Sequence, residues 1–408
     1  MLKQLSPFFA TCALAACLTG CAVTTPANVS AANGTPNAPL DEKLFDDDNV
    51  LILLSSEQEA NELTINVSRR GYQLIDRQYL AGLDKILLDF ARPPGISGEV
   101  AVNDMQMMSP SAQVGLDSFY TAQTEERFFV SSRGREYANA LLGWPDHGCR
   151  AMTSIGIIDG YLSNDMTGLN ASQIVSHNFA RQKSVESEHA ETVVSLISGP
   201  GRLKDVKIYS AGVIGVSDTG HAGSGAKELV LAFDWLRRQN VRIVNVSLAG
   251  PYNPLLENVV TALADQGMVI VAAVGNEGPD ADPRYPAAFD PVIAVTAIDA
   301  EQNVFRRAVQ GAHVDYAAPG VDVLIQAGQE TGQYVSGTSF AAPFVTALIA
   351  ADTSKSYEGD AEAVRSFLNR NTIDLGATGP DPVFGRGLVR ASDTCLSNYT
   401  MTTNGAPS

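Results

Sequence analysis

Four residues of this 408-residue chain stand where the local pattern would present a reactive group. Ser339 lies in Tyr334-Val335-Ser336-Gly337-Thr338-Ser339-Phe340-Ala341-Ala342-Pro343-Phe344-Val345-Thr346. The run opens extended and turns at Gly337, where glycine takes backbone angles other residues resist. It continues as an apolar helix through Ala350, with Pro343 tolerated in the first turn. Ser339 is thus set at a helix N-terminus, where free N–H groups favour developing negative charge. A nucleophilic serine fits there, and so does a capping serine before a buried helix. Asp159 ends the apolar strand Thr153-Ser154-Ile155-Gly156-Ile157-Ile158-Asp159, where open α/β sheets place their sites; a turn residue reads the same way. His189 begins a helical stripe continued by Val193, Leu196 and Ile197, as a base or as a packed core residue. Asn276, in Gly275-Asn276-Glu277-Gly278, is either a turn residue or an amide donor to an oxyanion. A serine, an imidazole, an orienting acid and an amide donor are the groups that acyl transfer requires.

The elements that must position them alternate. Strands at Val206–Ala211, Val241–Leu248, Met268–Val274, Val292–Ala297 and Val314–Ala318 are interleaved with helices at Ala226–Gln239 and Leu255–Gln266. Such alternation implies an α/β fold, a parallel sheet wound with right-handed crossovers. Strand ends at Asp159, Ser247 and Asn276 would then cluster on one edge of the sheet.

Before this domain, Asn49 to about Tyr120 reads as a small α+β domain of roughly ferredoxin-like kind. Its elements are a strand at Val50–Leu54, a helix with a Ser56/Glu59 capping box, strands at Tyr72–Ile75 and Lys85–Phe90, and a helix near Gly98–Met105. The polar, aperiodic residues 121–136 read as an exposed linker, and the large domain occupies 137–395.

The first 20 residues combine Lys3 with a short apolar run, Phe8–Leu18, the pattern of an export signal rather than a membrane span. Leu18-Thr19-Gly20-Cys21 resembles a lipoprotein box. That resemblance implies cleavage before Cys21, acylation of its thiol, and, with Ala22 next, the outer membrane facing the periplasm. Residues 21–48 form a tether rich in Ala, Asn, Pro and Thr, and 396–408 a tail. Cys12 and Cys17 fall in the removed segment, which leaves Cys149 and Cys395 as an expected disulfide in an oxidising compartment, or as two buried thiols. A net charge of −17 argues against nucleic acid as a partner.

Asp159, His189, Asn276 and Ser339 occur in the chain order of subtilisins. Ile155-Gly156-Ile157-Ile158-Asp159 resembles that family's aspartate strand, and His189 with Val193 its histidine helix. Val244–Gly250 resembles the strand that pairs with substrate backbone, which implies binding roles for Ser247, Leu248, Ala249 and Gly250. Ala272–Gly278 resembles the oxyanion segment, with Gly275 at the substrate. Gly337–Pro343 resembles the serine motif, and Gly385–Ala391 the closing glycine-rich segment. Residues 137–392 thus resemble a subtilase, a subtilisin-like serine peptidase. The resemblance implies a subtilisin-like sheet flanked by helices, a propeptide-like role for residues 49–120, protein or peptide substrates and a monomer. No cofactor or metal is expected; calcium is common in the family, but no Asp-rich loop announces it. Gly160, Ala190-Glu191 and Val194-Ser195 depart from the family pattern without removing a catalytic atom. They leave open a weak or inactive peptide-binding module. An α/β-hydrolase is excluded by residue order and by the missing Gly-x-Ser-x-Gly.

Overall fold

Six consecutive buried residues, Asn49–Leu54, form the strand β1. Neighbouring side chains of a strand point to opposite faces, so an unbroken apolar run means a sheet covered on both. Val50, Ile52 and Leu54 enter a small core with α1 (Glu57–Ser68) and the second helix below, while Leu51 and Leu53 belong to the main core. Ser56 caps α1 by accepting the Glu59 N–H at 3.3 Å. The expected reciprocal half of the capping box is replaced: the Glu59 carboxylate accepts from the Ser111 hydroxyl at 3.2 Å.

The computed structural model describes residues 49–122, 125–130, 136–163, 174–181, 187–216, 222–326, 332–391 and 395. The export signal, the tether with Cys21 and the tail past 395 lie outside the described residues.

After α1 come β2 (Gln73–Leu80), β3 (Lys85–Ala91), α2 (Gly98–Met108) and β4 (Gln113–Leu116). The antiparallel order β2-β3-β1-β4 is ferredoxin-like. β2 runs five residues past the expected Ile75, because it is an edge strand with one face in solvent and needs no apolar run. β4, which the sequence reading lacked, completes the pattern. The expected linker also carries two strands, β5 (Phe119–Ala122) and β6 (Glu125–Val130).

The large domain continues through α3 (Ala138–Leu142), β7 (Ile155–Asp159), β8 (Ile174–Asn178), α4 (Glu188–Ser198), β9 (Ile208–Gly212), β10 (Gly215–Val216) and β11 (Ala222–Gly225). There follow α5 (Ala226–Arg238), β12 (Ile243–Val246), β13 (Leu248–Ala249), α6 (Pro254–Asp265), β14 (Val269–Ala273), β15 (Ile293–Ile298) and β16 (Tyr316–Pro319). The last elements are β17 (Val323–Gln326), β18 (Gly332–Ser336), α7 (Ala342–Ala350), α8 (Ala361–Arg370), β19 (Thr372–Ile373) and β20 (Leu388–Val389). Nine strands form one sheet in the order β19-β20-β16-β15-β14-β12-β7-β9-β8, parallel throughout except for β19. Its inner strands are wholly buried, as expected of a parallel sheet covered by helices on both faces. On one side of β7 the chain runs to the edge strand β8 and back to β9; it then crosses to β12 and winds outward through β14, β15 and β16. The β7–β12 pair is the point at which ligands bind open α/β sheets.

The ferredoxin-like sheet packs its other face on the large domain, with Leu51, Leu53, Leu80, Leu83 and Leu87 in the same core as Leu229, Phe233 and Leu256. Charges complete the contact. Lys227 Nζ, on α5, lies 2.8 Å from Asp89 and 2.7 Å from Asp76. Asp234 accepts the Gly82 N–H at 2.6 Å, and Asn253 Nδ2 donates to the Leu116 carbonyl at 2.7 Å. Asp117 accepts the Lys227 N–H at 2.9 Å in the first turn of α5 and also pairs with Arg181. Cys149 and Cys395 are bonded, with their Cα atoms 5.7 Å apart.

Candidate active site

The carboxyl edge of the β7–β12–β14 trio carries two of the four residues, with Ser247 between them. Asp159 is the last residue of β7, Ser247 follows β12, and Asn276 lies just beyond β14. Asp159 is fully buried; its Oδ1 accepts the Gly160 N–H at 2.6 Å and lies 2.8 Å from His189 Nδ1. His189 stands in the first turn of α4, which Ser187 caps by accepting the Ala190 N–H at 3.2 Å. The second ring nitrogen, Nε2, is buried and has no hydrogen-bond partner. The His189 ring centroid lies 5.3 Å from that of Phe340, the residue after Ser339.

Ser339 sits in a short 3₁₀ turn, Thr338–Phe340, which Ala341 alone separates from α7. Gly337, at φ 152°, makes the corner out of β18. α7 is apolar on every side because it is buried along its whole length, packed against α4, β12 and β14. A chain of buried hydrogen bonds fixes the serine's backbone. Thr346 Oγ1 donates to Asn245 Oδ1 at 3.0 Å, Asn245 Nδ2 to Ser247 Oγ at 2.9 Å, and Ser247 Oγ to the Ser339 carbonyl at 3.1 Å.

The Asn276 amide is held by Thr338, whose N–H and Oγ1 both donate to Oδ1, at 3.1 and 2.8 Å. Its loop is clamped by Arg307: Nε donates to the Asn276 carbonyl at 3.2 Å, and the Arg307 carbonyl accepts the Gly278 N–H at 2.8 Å. Thr338, Thr346, Asn245, Arg307 and Ser187 were given no role by sequence reasoning. Thr338 was within reach of it, being next to Ser339 in the quoted motif. Ser187, an N-cap serine two residues before His189, was equally within reach; Thr346, Asn245 and Arg307 act across the fold and leave no local signal.

Of the expected binding residues, Leu248 and Ala249 form β13, and Ser247 joins the serine network described above. Gly250 pairs backbone to backbone with Tyr285, both N···O distances being 2.9 Å. Gly275 takes φ 108°, and a Cβ on it would lie 2.6 Å from Glu277 Oε2. Between β13 and β11 lies β5, antiparallel to both: Ala122 is opposite Leu248, Thr121 opposite Ala249, and Tyr120 opposite Ser224. β6 continues along β18, with Glu125 opposite Ser336. The chain's own backbone therefore runs between β11 and β13, beside the strand that follows Ser247. Ser339 is fully buried and His189 is 6% exposed.

Gly160, the departure after the aspartate, has a local cause. A Cβ there would lie 2.2 Å from the Ser187 side chain, so the cap of the histidine helix fills the space a Thr or Ser would use. Among the described residues, no group of His, Cys, Asp or Glu could hold a metal ion, and no helix is long and apolar enough to cross a membrane.

A parallel α/β sheet with a hydrogen-bonded Asp–His pair, a serine turn and a clamped asparagine at its switch point defines a class of serine hydrolase architecture. The subtilase (peptidase S8) family model matches residues 153–387. Subtilisin DY of Bacillus licheniformis is 30% identical over 269 residues, spanning 64% of this chain and 92% of that protein. The minor extracellular protease Epr of Bacillus subtilis is 30% identical over 191 residues, but only 29% of its length is spanned. Fervidolysin from Fervidobacterium pennivorans, described as a keratinolytic enzyme related to subtilisin, shares the fold at a TM-score of 0.64 and 17% identity, over 86% of this chain and 61% of that one. The chain belongs to the subtilase family.

Proposed function

We propose that the protein is a serine endopeptidase anchored in the cell envelope. The observation that carries the reading is the 2.8 Å contact of Asp159 with His189 Nδ1, which leaves Nε2 as the nitrogen able to take a proton. Ser339 Oγ attacks the peptide carbonyl, and His189 Nε2 takes its proton and returns it to the leaving amine. Asp159 holds the ring and stabilises the imidazolium. The Asn276 amide and the Ser339 N–H receive the oxyanion, and water then releases the acyl group.

Residues 49–120 act as the propeptide and are cut within 121–136. Support comes from β5, which fills the strand position beside β13 that an extended substrate would take. A lipid on Cys21 holds the precursor at the periplasmic face of the outer membrane, and cutting separates the peptidase domain from that anchor. The proteins it acts on come from the same compartment.

Labelling with a fluorophosphonate should mark the native chain and be lost in Ser339→Ala, which should also accumulate uncut. Persistent labelling of that variant places the nucleophile elsewhere. Native protein that takes no label and leaves casein intact is instead a peptide-binding module. Mass spectrometry of the mature N-terminus tests the rest: a chain that starts only at Cys21 rules out cutting.

A further inference from the structure

Arg284 has a guanidinium nitrogen, Nε, that makes no hydrogen bond although it lies beside a carboxylate. Its Nε lies 3.2 Å from Glu277 Oε1, an ion-pair distance, yet Nε is buried without a hydrogen bond, so the contact is poorly aligned. Both side chains are partly shielded, 23% and 25% exposed. Arg284 precedes Tyr285, the residue bonded to Gly250 at the end of the substrate-side strand. Its stem also lies against the oxyanion loop: a Cβ on Gly275 would be 2.9 Å from Arg284 Cγ. The ion pair thus lies against Gly275, the residue before the oxyanion asparagine, and Arg284 adjoins the residue that pairs with Gly250 at the end of β13.

The register fixes which substrate residue meets it. Ala122 is opposite Leu248, so the next position of an extended chain is opposite Ser247, whose Oγ bonds to the Ser339 carbonyl at 3.1 Å. That next position supplies the carbonyl that the serine attacks. The residue that follows Ala122 in the sequence is Gln123, whose carboxamide oxygen is an acceptor of the kind a guanidinium binds.

We infer that Arg284 is a specificity-determining residue that selects, immediately before the cut bond, a side chain with a neutral hydrogen-bond acceptor: glutamine or asparagine. The inference rests on the peptidase reading above. Glu277 decides between amide and acid. It already balances the guanidinium, so a substrate carboxylate would meet a second negative charge, whereas an amide oxygen takes the unused Nε–H without one. Apolar side chains leave that donor unpaired.

The test uses the purified full chain and fluorogenic peptides that differ only at the residue before the cut, Gln, Glu, Leu or Phe. Gln should exceed Leu and Phe by about 10-fold or more in kcat/KM, the usual worth of a hydrogen bond to a charged group. Arg284→Met should abolish that preference and favour Leu and Phe. Glu277→Gln should raise Glu over Gln by about 10-fold. Fluorophosphonate labelling of Ser339 reports whether each variant has formed its site. A native preference for Phe or Leu, or a profile unmoved by Arg284→Met in a labelled enzyme, overturns the inference and leaves the peptidase reading intact. Should Arg284→Met fail to label, Glu277→Gln decides: no shift toward Glu overturns it. A native chain that neither labels nor cuts overturns both readings.

Discussion

Thr338 grips the side-chain oxygen of Asn276 from two directions, N–H at 3.1 Å and Oγ1 at 2.8 Å. An amide fixed by its oxygen has its nitrogen fixed too, so the donor is aimed before any charge develops, which is what oxyanion stabilisation requires. Asn276→Ala should lower kcat by about 100- to 1000-fold with little change in KM. Thr338→Ala removes one of two orienting bonds and should lower kcat by about 10-fold, with Thr338→Ser restoring most of it. Full activity in Asn276→Ala would take that residue out of the mechanism.

Gly160 and Ser187 share one space, since a Cβ at 160 would sit 2.2 Å from Ser187 Cβ. Restoring a threonine should displace the cap of α4 and tilt His189 away from Asp159. We expect a destabilisation of about 1–3 kcal/mol from overpacking and a clear loss of kcat. The double variant with Ser187→Gly should recover both in denaturant melts and turnover; no recovery would show that the two positions are not coupled.

Lys227 is the buried cation between the two cores, with a side chain 6% exposed beside Asp89 at 1%. Lys227→Met leaves the buried Asp89 carboxylate facing Arg181 Nη1 at 4.0 Å in place of Lys227 Nζ at 2.8 Å. Removing one member of such a pair costs about 3–5 kcal/mol. Unfolding of the uncut chain should show it, and a change under 1 kcal/mol would mean that water or Arg181 compensates.

Asp117 sets a pH dependence. Burial pushes its carboxyl up to about 6; Glu228 adds to the rise, and Arg181 opposes it. A carboxyl raised in the folded state takes up a proton on docking. Its contribution is therefore fully present below the ordinary value of about 3.9 and is lost as pH rises through 6. Asp76, held low by Lys227 and Gln78 despite burial, acts in the opposite sense, and only below the usual carboxylate range. Docking of the ferredoxin-like domain should therefore weaken from pH 4 to 6, by up to about 10-fold per unit. Stability of the uncut chain across that range should flatten in Asp117→Asn; an equal slope in that variant assigns the effect to another group.

The site was legible in sequence because its residues sit where local pattern changes. Asp159 ends an apolar run, and Ser339 follows a glycine corner. The parallel core was legible for a related reason, since strands covered on both faces must be apolar throughout. β5 and β6 were not. Thr121-Ala122-Gln123-Thr124-Glu125-Glu126 has no period of two, and β5 is a strand only because β11 and β13 offer it both their edges. Pairings between such distant segments leave no trace in the sequence of either. The roles of Arg307 and Thr346 were hidden for the same reason.

Were β5 withdrawn, β11 and β13 would face each other across a gap one strand wide. Two bare edges of that kind pair with main-chain groups that every residue carries. Such a slot admits only a stretch that can lie fully extended with both its own edges unpaired. A helix cannot enter it, nor can a strand already inside a sheet. Under the proposed function the slot would gauge foldedness before it reads any side chain: a native protein would be passed over, and one that has locally come undone taken.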